Sequence, residues 1–205
     1  MKVYISSVDA LIDSEIHPVI PPYRQKKIDS FLFEKDKKLS LGVELLFQQA
    51  CRDFQILTPE IVFGSNGKPA VKNCDDFHFN LSHSEEMVMC VADTVPVGCD
   101  VEKIQPIDLD IARRFFYRSE YASIAAQPDD ESRNFLFYRY WTLKESFMKV
   151  TGLGMSLPLD AFEIMIGDDG ISVRQNVSDA CFEFKEYFRN DGYCYASCRK
   201  LSENQ

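Results

Sequence analysis

The sequence predicts a mixed α/β (α+β) protein made of two similar halves, 1–105 and 106–205, each combining a helix with a sheet. Three observations predict it. Leu39, Val43, Leu46, Phe47, Ala50 and Phe54 follow helical spacing and read as a core stripe. Strand-like runs follow at 87–92 and 97–101. A second long helical segment, 130–150, is then followed by alternating Phe162-Ile164-Ile166, Ile171-Val173 and Phe182-Phe184-Glu186-Phe188. Helix and sheet therefore occur twice in one order.

In chain order, Met1-Lys2-Val3-Tyr4-Ile5 starts like a strand, and Pro18, Pro21 and Pro22 make the next stretch a loop before a helix. Basic residues cluster there: Arg24, Lys26 and Lys27, then Lys35, Lys37 and Lys38, by themselves a solvated helix face. Gly64-Ser65-Asn66-Gly67-Lys68-Pro69 is turn chemistry, and no Gly-x-Gly-x-x-Gly or Walker-type run supports a nucleotide-loop fold. The apolar run 87–92 reads as a buried strand, turned by Asp93-Thr94-Val95-Pro96 into an antiparallel partner at 97–101. After Pro106, 107–116 and 119–126 read as helices. Asp129-Asp130 opens the long helix, which Thr151-Gly152 stops, and Trp141 on it is expected in the core. Asn190-Asp191-Gly192 signals a hairpin.

Three short motifs carry chemistry. In Val97-Gly98-Cys99-Asp100-Val101-Glu102 the apolar residues face one way, so Asp100 and Glu102 project side by side from the other face. Glu145 and Lys149 are four apart on the long helix and share a face. Paired carboxylates joined by a third suit a hard, oxygen-loving cation that keeps waters for a phosphate. Taken singly, each motif also reads as a solvated edge strand or a surface ion pair. The third motif, Asn80-Leu81-Ser82-His83-Ser84 after Phe77-His78-Phe79, frames a histidine with two hydroxyls that can meet a phosphate.

With Phe79-Asn80-Leu81-Ser82-His83-Ser84, Val97-Gly98-Cys99-Asp100-Val101-Glu102 and Trp141-x-x-Lys144-Glu145-Ser146-x-x-Lys149 in this order, the sequence resembles the surfactin-type 4′-phosphopantetheinyl transferases. Gly67-Lys68-Pro69, Gly152-Leu153-Gly154 and Leu157-Pro158-Leu159 are looser matches, and the similarity runs from the N-terminal strand to about Tyr195. The main departure is Cys99, where the family more often has Ile or Val; it points to the core and bears on packing. The resemblance implies a pseudo-twofold arrangement of the halves with the active site between them. It implies transfer of the phosphopantetheine arm of coenzyme A, the substrate, to a serine of an acidic apo carrier protein, releasing adenosine 3′,5′-bisphosphate.

The residues and the resemblance together suggest roles. Asp100, Glu102 and Glu145 would hold magnesium, with manganese as a substitute. Glu145 is also the candidate general base, its two roles left open. Lys149 would bind the phosphate and stabilise the leaving group, and His83 with Ser82 would fix the pyrophosphate. Gly67, Lys68 and Pro69 would present backbone and aliphatic surface to the adenine. Arg24, Lys26 and Lys38 would anchor the extra phosphate on the ribose. Lys144, about 100° round the helix from Glu145, would point to the outer phosphates or solvent. Arg113, Arg114 and Arg118, interleaved with Phe115, Phe116 and Tyr117, are a candidate seat for the carrier.

Composition bounds the rest. At 205 residues, 45% hydrophobic and 27% charged, the chain suits one or two small domains of a soluble protein. Asp9, Asp13 and Glu15 interrupt any long apolar run at the start, so no signal peptide or membrane span is expected, and a cytoplasmic monomer is. A net charge of −9 argues against a general nucleic-acid binder. Seven cysteines without Cys-x-x-Cys, and three scattered histidines, make a poor zinc set; reduced, buried thiols account for them better. Other functions compatible with the motifs are a coenzyme A binder without transfer, a metal-dependent phosphohydrolase, and an interaction protein docking through 130–150. The intact carboxylates and lysine count against a mere binder.

Overall fold

The opening strand, β1 (Lys2–Ser7), ends where Ser7 caps the short helix α1 (Val8–Ile12), its hydroxyl accepting the Ala10 N–H. The computed structural model describes residues 1–13, 19–64 and 66–201; Pro18 and Ser65, both placed in loops by the sequence, lie outside them. α2 (Pro22–Asp29) begins on proline, whose missing N–H costs nothing at a helix start. α3 (Glu34–Asp53) turns its stripe of Leu39, Val43, Leu46, Phe47 and Ala50 into the first core. A small hairpin follows, β2 (Ile61–Phe63) with β3 (Pro69–Val71). β4 (His78–Ser84) and β5 (Met87–Asp93) then form an antiparallel pair, and β1 adds to β5, giving the order β1-β5-β4. β5 is the centre strand, buried on both faces, which is why its sequence is a continuous apolar run.

The second half repeats the plan. β6 (Val97–Lys103) leads through α4 (Leu109–Phe115) and α5 (Arg118–Ala125) to the long helix α6 (Asp130–Thr151). A small hairpin, β7 (Glu163–Gly167) and β8 (Gly170–Arg174), precedes β9 (Phe182–Glu186) and β10 (Tyr193–Lys200). The sheet order is β6-β10-β9, so first strand, last strand and penultimate strand lie as they do in β1-β5-β4. Each half is thus a strand, a long helix, a small hairpin and a closing pair.

This order corrects the expected pairing of the 97–101 strand. β6 pairs with β10, not with β5, from Val97↔Arg199 to Lys103↔Tyr193. Pro96 carries the chain from one sheet to the next, so β6 opens the second sheet.

The two sheets face each other. Met87, Met89 and Val91 of β5 meet Val97, Cys99 and Val101 of β6, with Tyr193 and Tyr195, in a core between them. α3 covers the outer face of the first sheet and α6 that of the second. Gly98 permits the closest approach: a Cβ there would lie 2.1 Å from Ser146 O and 2.5 Å from Val150 N, so only glycine lets α6 rest on β6. All seven cysteines are free, five of them buried.

Candidate active site

Alternation along β6 buries Val97, Cys99 and Val101 between the sheets and turns Asp100 and Glu102 toward α6. On α6, Trp141, Glu145 and Lys149 are spaced by four and form one stripe over the same cleft, which Ser82 and His83 of β4 close. The cleft has a volume of about 350 Å³.

Its electrostatics are set by crowded carboxylates. Asp100 Oδ1 accepts from Lys149 Nζ at 2.7 Å and from Ser82 Oγ at 2.7 Å. The other oxygen, Oδ2, is buried with no partner among the described residues. Burial, then the charge of Asp100, pushes the Glu102 carboxyl up to about 7. Burial and Asp100 also raise Glu145 above the usual carboxylate range. Burial alone would lower the Lys149 ammonium, but Asp100 and its other negative neighbours outweigh it and hold the lysine raised. Desolvation, then the charges of Lys149 and Lys27, lowers His83, which leaves the imidazole neutral at pH 7. Among the described residues no group of three His, Cys, Asp or Glu side chains is gathered closely enough to hold a metal ion as it stands. The chemistry of the cleft nevertheless fits a hard cation: three carboxylates line it, repelling one another, with one buried oxygen unsatisfied.

A second cavity, about 420 Å³, shares Leu81 and His83 with the first. Arg24 and Lys27 of α2 enter it, with Ser40 of α3, Gly67 of the β2–β3 turn and Pro69 at the start of β3. Phe31 and Phe63 give it apolar, aromatic walls. Arg24 is 7% exposed and neutralised by Glu44, its Nε donating at 2.9 Å. Ser40 Oγ is buried without a partner among the described residues. Burial, then Arg24, lowers the Lys27 ammonium.

Four lysines expected at the ligand differ. Lys26 is exposed on α2 and does not line the cavity, since it sits two positions round the helix from Arg24; Lys27, three on, shares that face. Lys38 is exposed and pairs with Asp9. Lys68 turns away from the cavity and donates to Val97 O at 3.1 Å and Lys149 O at 2.5 Å. Burial lowers that ammonium to about 8. Lys144 is the largest departure. It is 0% exposed and ion-paired with Glu120 at 2.8 Å, and it donates to Leu159 O and Phe162 O. Trp141 stacks on Phe137 as a core residue would, yet it is only partly buried and also lines the cleft. Lys27 and Ser40 are the residues that the sequence reading missed. Arg113, Arg114 and Arg118 are exposed beside Phe115, which is 55% exposed, whereas Phe116 is buried against Phe137.

An acidic cleft sharing a wall with an aromatic-sided cavity that Arg24 and Lys27 enter suits a phosphate ester that carries a nucleoside. The chain belongs to the 4′-phosphopantetheinyl transferase superfamily, whose model matches residues 96–198; the model of the 4′-phosphopantetheinyl transferase N-terminal region matches 14–95. The two matches meet at the turn before β6. The chain is similar to the 4′-phosphopantetheinyl transferase Sfp of Bacillus subtilis, 36% identical over 97% of this chain and 92% of that one. It is also similar to the 4′-phosphopantetheinyl transferase psf-1 of Bacillus pumilus, 33% identical over 98% and 90%.

Proposed function

We infer that this enzyme transfers the 4′-phosphopantetheine arm of coenzyme A to a serine hydroxyl of an apo carrier protein, leaving adenosine 3′,5′-bisphosphate. The observation that carries the reading is the shared wall at His83, which joins a cavity of nucleoside size to a cleft bearing Asp100, Glu102, Glu145 and Lys149. The adenosine end fits the larger cavity, against the backbone of Gly67 and Pro69, with Arg24, Lys27 and Ser40 toward the ribose phosphate. The pyrophosphate then falls at His83 and Ser82.

Asp100, Glu102 and Glu145 would hold magnesium, or manganese in its place, which supplies positive charge to offset that of the pyrophosphate. Lys149 has three N–H donors, and two are engaged by Asp100 and by Ser82 Oγ at 3.2 Å. The third is available to a phosphate oxygen and to the charge that grows on the departing bisphosphate. Glu145, with its raised carboxyl, would take the proton of the carrier serine, directly or through a water. The serine oxygen bonds to the phosphorus of the phosphopantetheine, and the bond from that phosphorus to the bisphosphate breaks. The carrier is taken as acidic, serine-bearing and seated near Arg114 and Arg118. No helix among the described residues is long and apolar enough to cross a membrane. A cytoplasmic monomer is the proposed form.

Intact mass of a carrier protein incubated with enzyme, coenzyme A and magnesium tests the reading. A gain of one phosphopantetheine group supports it. An unmodified carrier with coenzyme A consumed would make the protein a phosphohydrolase, and an unmodified carrier with coenzyme A intact would make it a binder or an interaction protein.

A further inference from the structure

β6 is an edge strand of its sheet, and on its free side the N–H groups of Cys99, Val101 and Lys103 each meet a side chain of β4. Asn80 Oδ1 accepts Cys99 N–H at 2.9 Å, Ser82 Oγ accepts Val101 N–H at 3.4 Å, and Ser84 Oγ accepts Lys103 N–H at 3.2 Å. Both strands advance by two residues per rung, so side chains do what a neighbouring backbone would otherwise do. The upper two rungs use hydroxyls, and each hydroxyl also donates: Ser82 to Asp100 Oδ1 and Ser84 to Glu102 Oε2, both at 2.7 Å.

A hydroxyl has one proton and two lone pairs. With a lone pair committed to the strand N–H, the remaining freedom of its proton is small, and the proton is aimed at the carboxylate beside it. Asp100 has a second holder in Lys149. Glu102 is longer, has more rotatable bonds, and among the described residues is held by Ser84. The Glu102 carboxylate would otherwise turn away from Asp100, because the two repel.

We propose that Ser84 is a positioning residue, tying Glu102 to the β4–β6 ladder so that its carboxylate stays beside Asp100 over the cleft. The proposal rests on the reading of these carboxylates as metal ligands, and groups that orient a metal's ligands typically change affinity by about 10–100-fold when removed.

The test is direct Mn²⁺ titration of the full chain, followed by electron paramagnetic resonance, for wild type, Ser84→Ala, Ser84→Thr, Glu102→Ala and the double variant Ser84→Ala/Glu102→Ala. Ser84→Ala is expected to weaken Mn²⁺ binding by about 10–100-fold. Ser84→Thr, which keeps the hydroxyl, should bind as wild type does, and coenzyme A affinity measured in chelator should not change. In the Glu102→Ala background the serine substitution should have no further effect. If Ser84→Ala does not fold, Ser84→Val against Ser84→Thr makes the same comparison. Unchanged Mn²⁺ affinity in Ser84→Ala, or an equal loss in both backgrounds, would overturn the proposal while leaving the metal reading intact. A wild type that binds no Mn²⁺, or binds it as well as Glu102→Ala does, would overturn both.

Discussion

Replacing Lys144 with methionine separates a structural lysine from a phosphate-binding one. Methionine keeps an unbranched apolar stem and removes the ammonium. In the fold that ammonium lies 2.8 Å from Glu120 Oε1, 2.8 Å from Leu159 O and 2.9 Å from Phe162 O, with exposures of 0% and 1% for the paired side chains. The substitution leaves a buried carboxylate without its cation and two carbonyls without a donor. Breaking a buried pair from one side costs about 3–5 kcal/mol. For a chain of this size each kcal/mol lowers the melting temperature by roughly 2–4 °C, so a fall of roughly 6–20 °C is expected.

The pH dependence of that loss has a definite sign. Burial raises the Glu120 carboxyl, and Lys144 opposes the rise. Without Lys144 the folded-state value climbs further, so folding favours the protonated acid. A raised folded pKa contributes stability below the unfolded value that is lost as pH rises through the folded one. The deficit of Lys144→Met against wild type is therefore greatest at neutral pH and narrows as pH falls toward 4.5, the ordinary glutamate value. Adding Glu120→Gln removes the buried charge and leaves an amide oxygen for the N–H of Ile164 or Tyr117, so the double variant should recover part of the loss. Thermal melts by circular dichroism at several pH values, with Michaelis constants for coenzyme A alongside, measure all of this. A variant that melts with wild type but binds coenzyme A poorly would refute the structural role and return Lys144 to the outer phosphates.

Asp100→Ala and Glu102→Ala should each lower transfer on the order of 10³-fold in folded protein, and full wild-type activity in chelator would sink the metal reading. Glu145→Gln should slow turnover with coenzyme A still bound, whereas Lys149→Ala should weaken both; unchanged turnover in the first would remove Glu145 as base. Lys27→Ala should raise the Michaelis constant for coenzyme A and not that for dephospho-coenzyme A, while Lys26→Ala and Lys38→Ala change neither; kinetics with both substrates decide it. Charge reversal at Arg114 and Arg118 together should raise the Michaelis constant for an acidic carrier and spare that for coenzyme A, with the wild-type carrier constant rising with salt. Equal effects on both substrates would move the docking surface elsewhere.

The mixed α/β class and the order of helix and sheet were legible because each element has its own local signal. The β-strand alternation of 97–101 and the stripe of α3 needed no tertiary knowledge. Pairing did need it. A short turn between two apolar strands reads as a hairpin, yet β5 is already flanked by β1 and β4, and β6 finds β10 near the end of the chain. The two similar halves were legible only as an order of elements, helix and sheet twice over, because the halves do not share a pattern of side chains. The ladder of Asn80, Ser82 and Ser84 was likewise hidden: its acceptors are visible in the sequence, but its donors are backbone N–H groups that every strand carries.

The lysines were misplaced for a different reason, one that helical geometry can repair. In α6, Phe137, Tyr140, Lys144 and Phe147 are spaced by three and four, and that row is the buried one. Trp141, Glu145 and Lys149 form the neighbouring row, which faces the cleft. Lys144 and Glu145 are adjacent in sequence, yet the turn between them divides a core ion pair from the chemistry. The same rule on α2 groups Arg24, Lys27 and, just past the helix end, Phe31 on the cavity side and sends Lys26 to solvent. On α3 it groups Asp36, Ser40, Val43 and Phe47 and leaves Lys38 outside. A basic residue near a phosphate motif is thus a ligand candidate only if its row also carries residues that must face the ligand. Lys68 marks the limit of that rule, because a turn has no period. Its ammonium was free to go either to the nucleotide or to the carbonyls of Val97 and Lys149, and only the contact between the halves decided it.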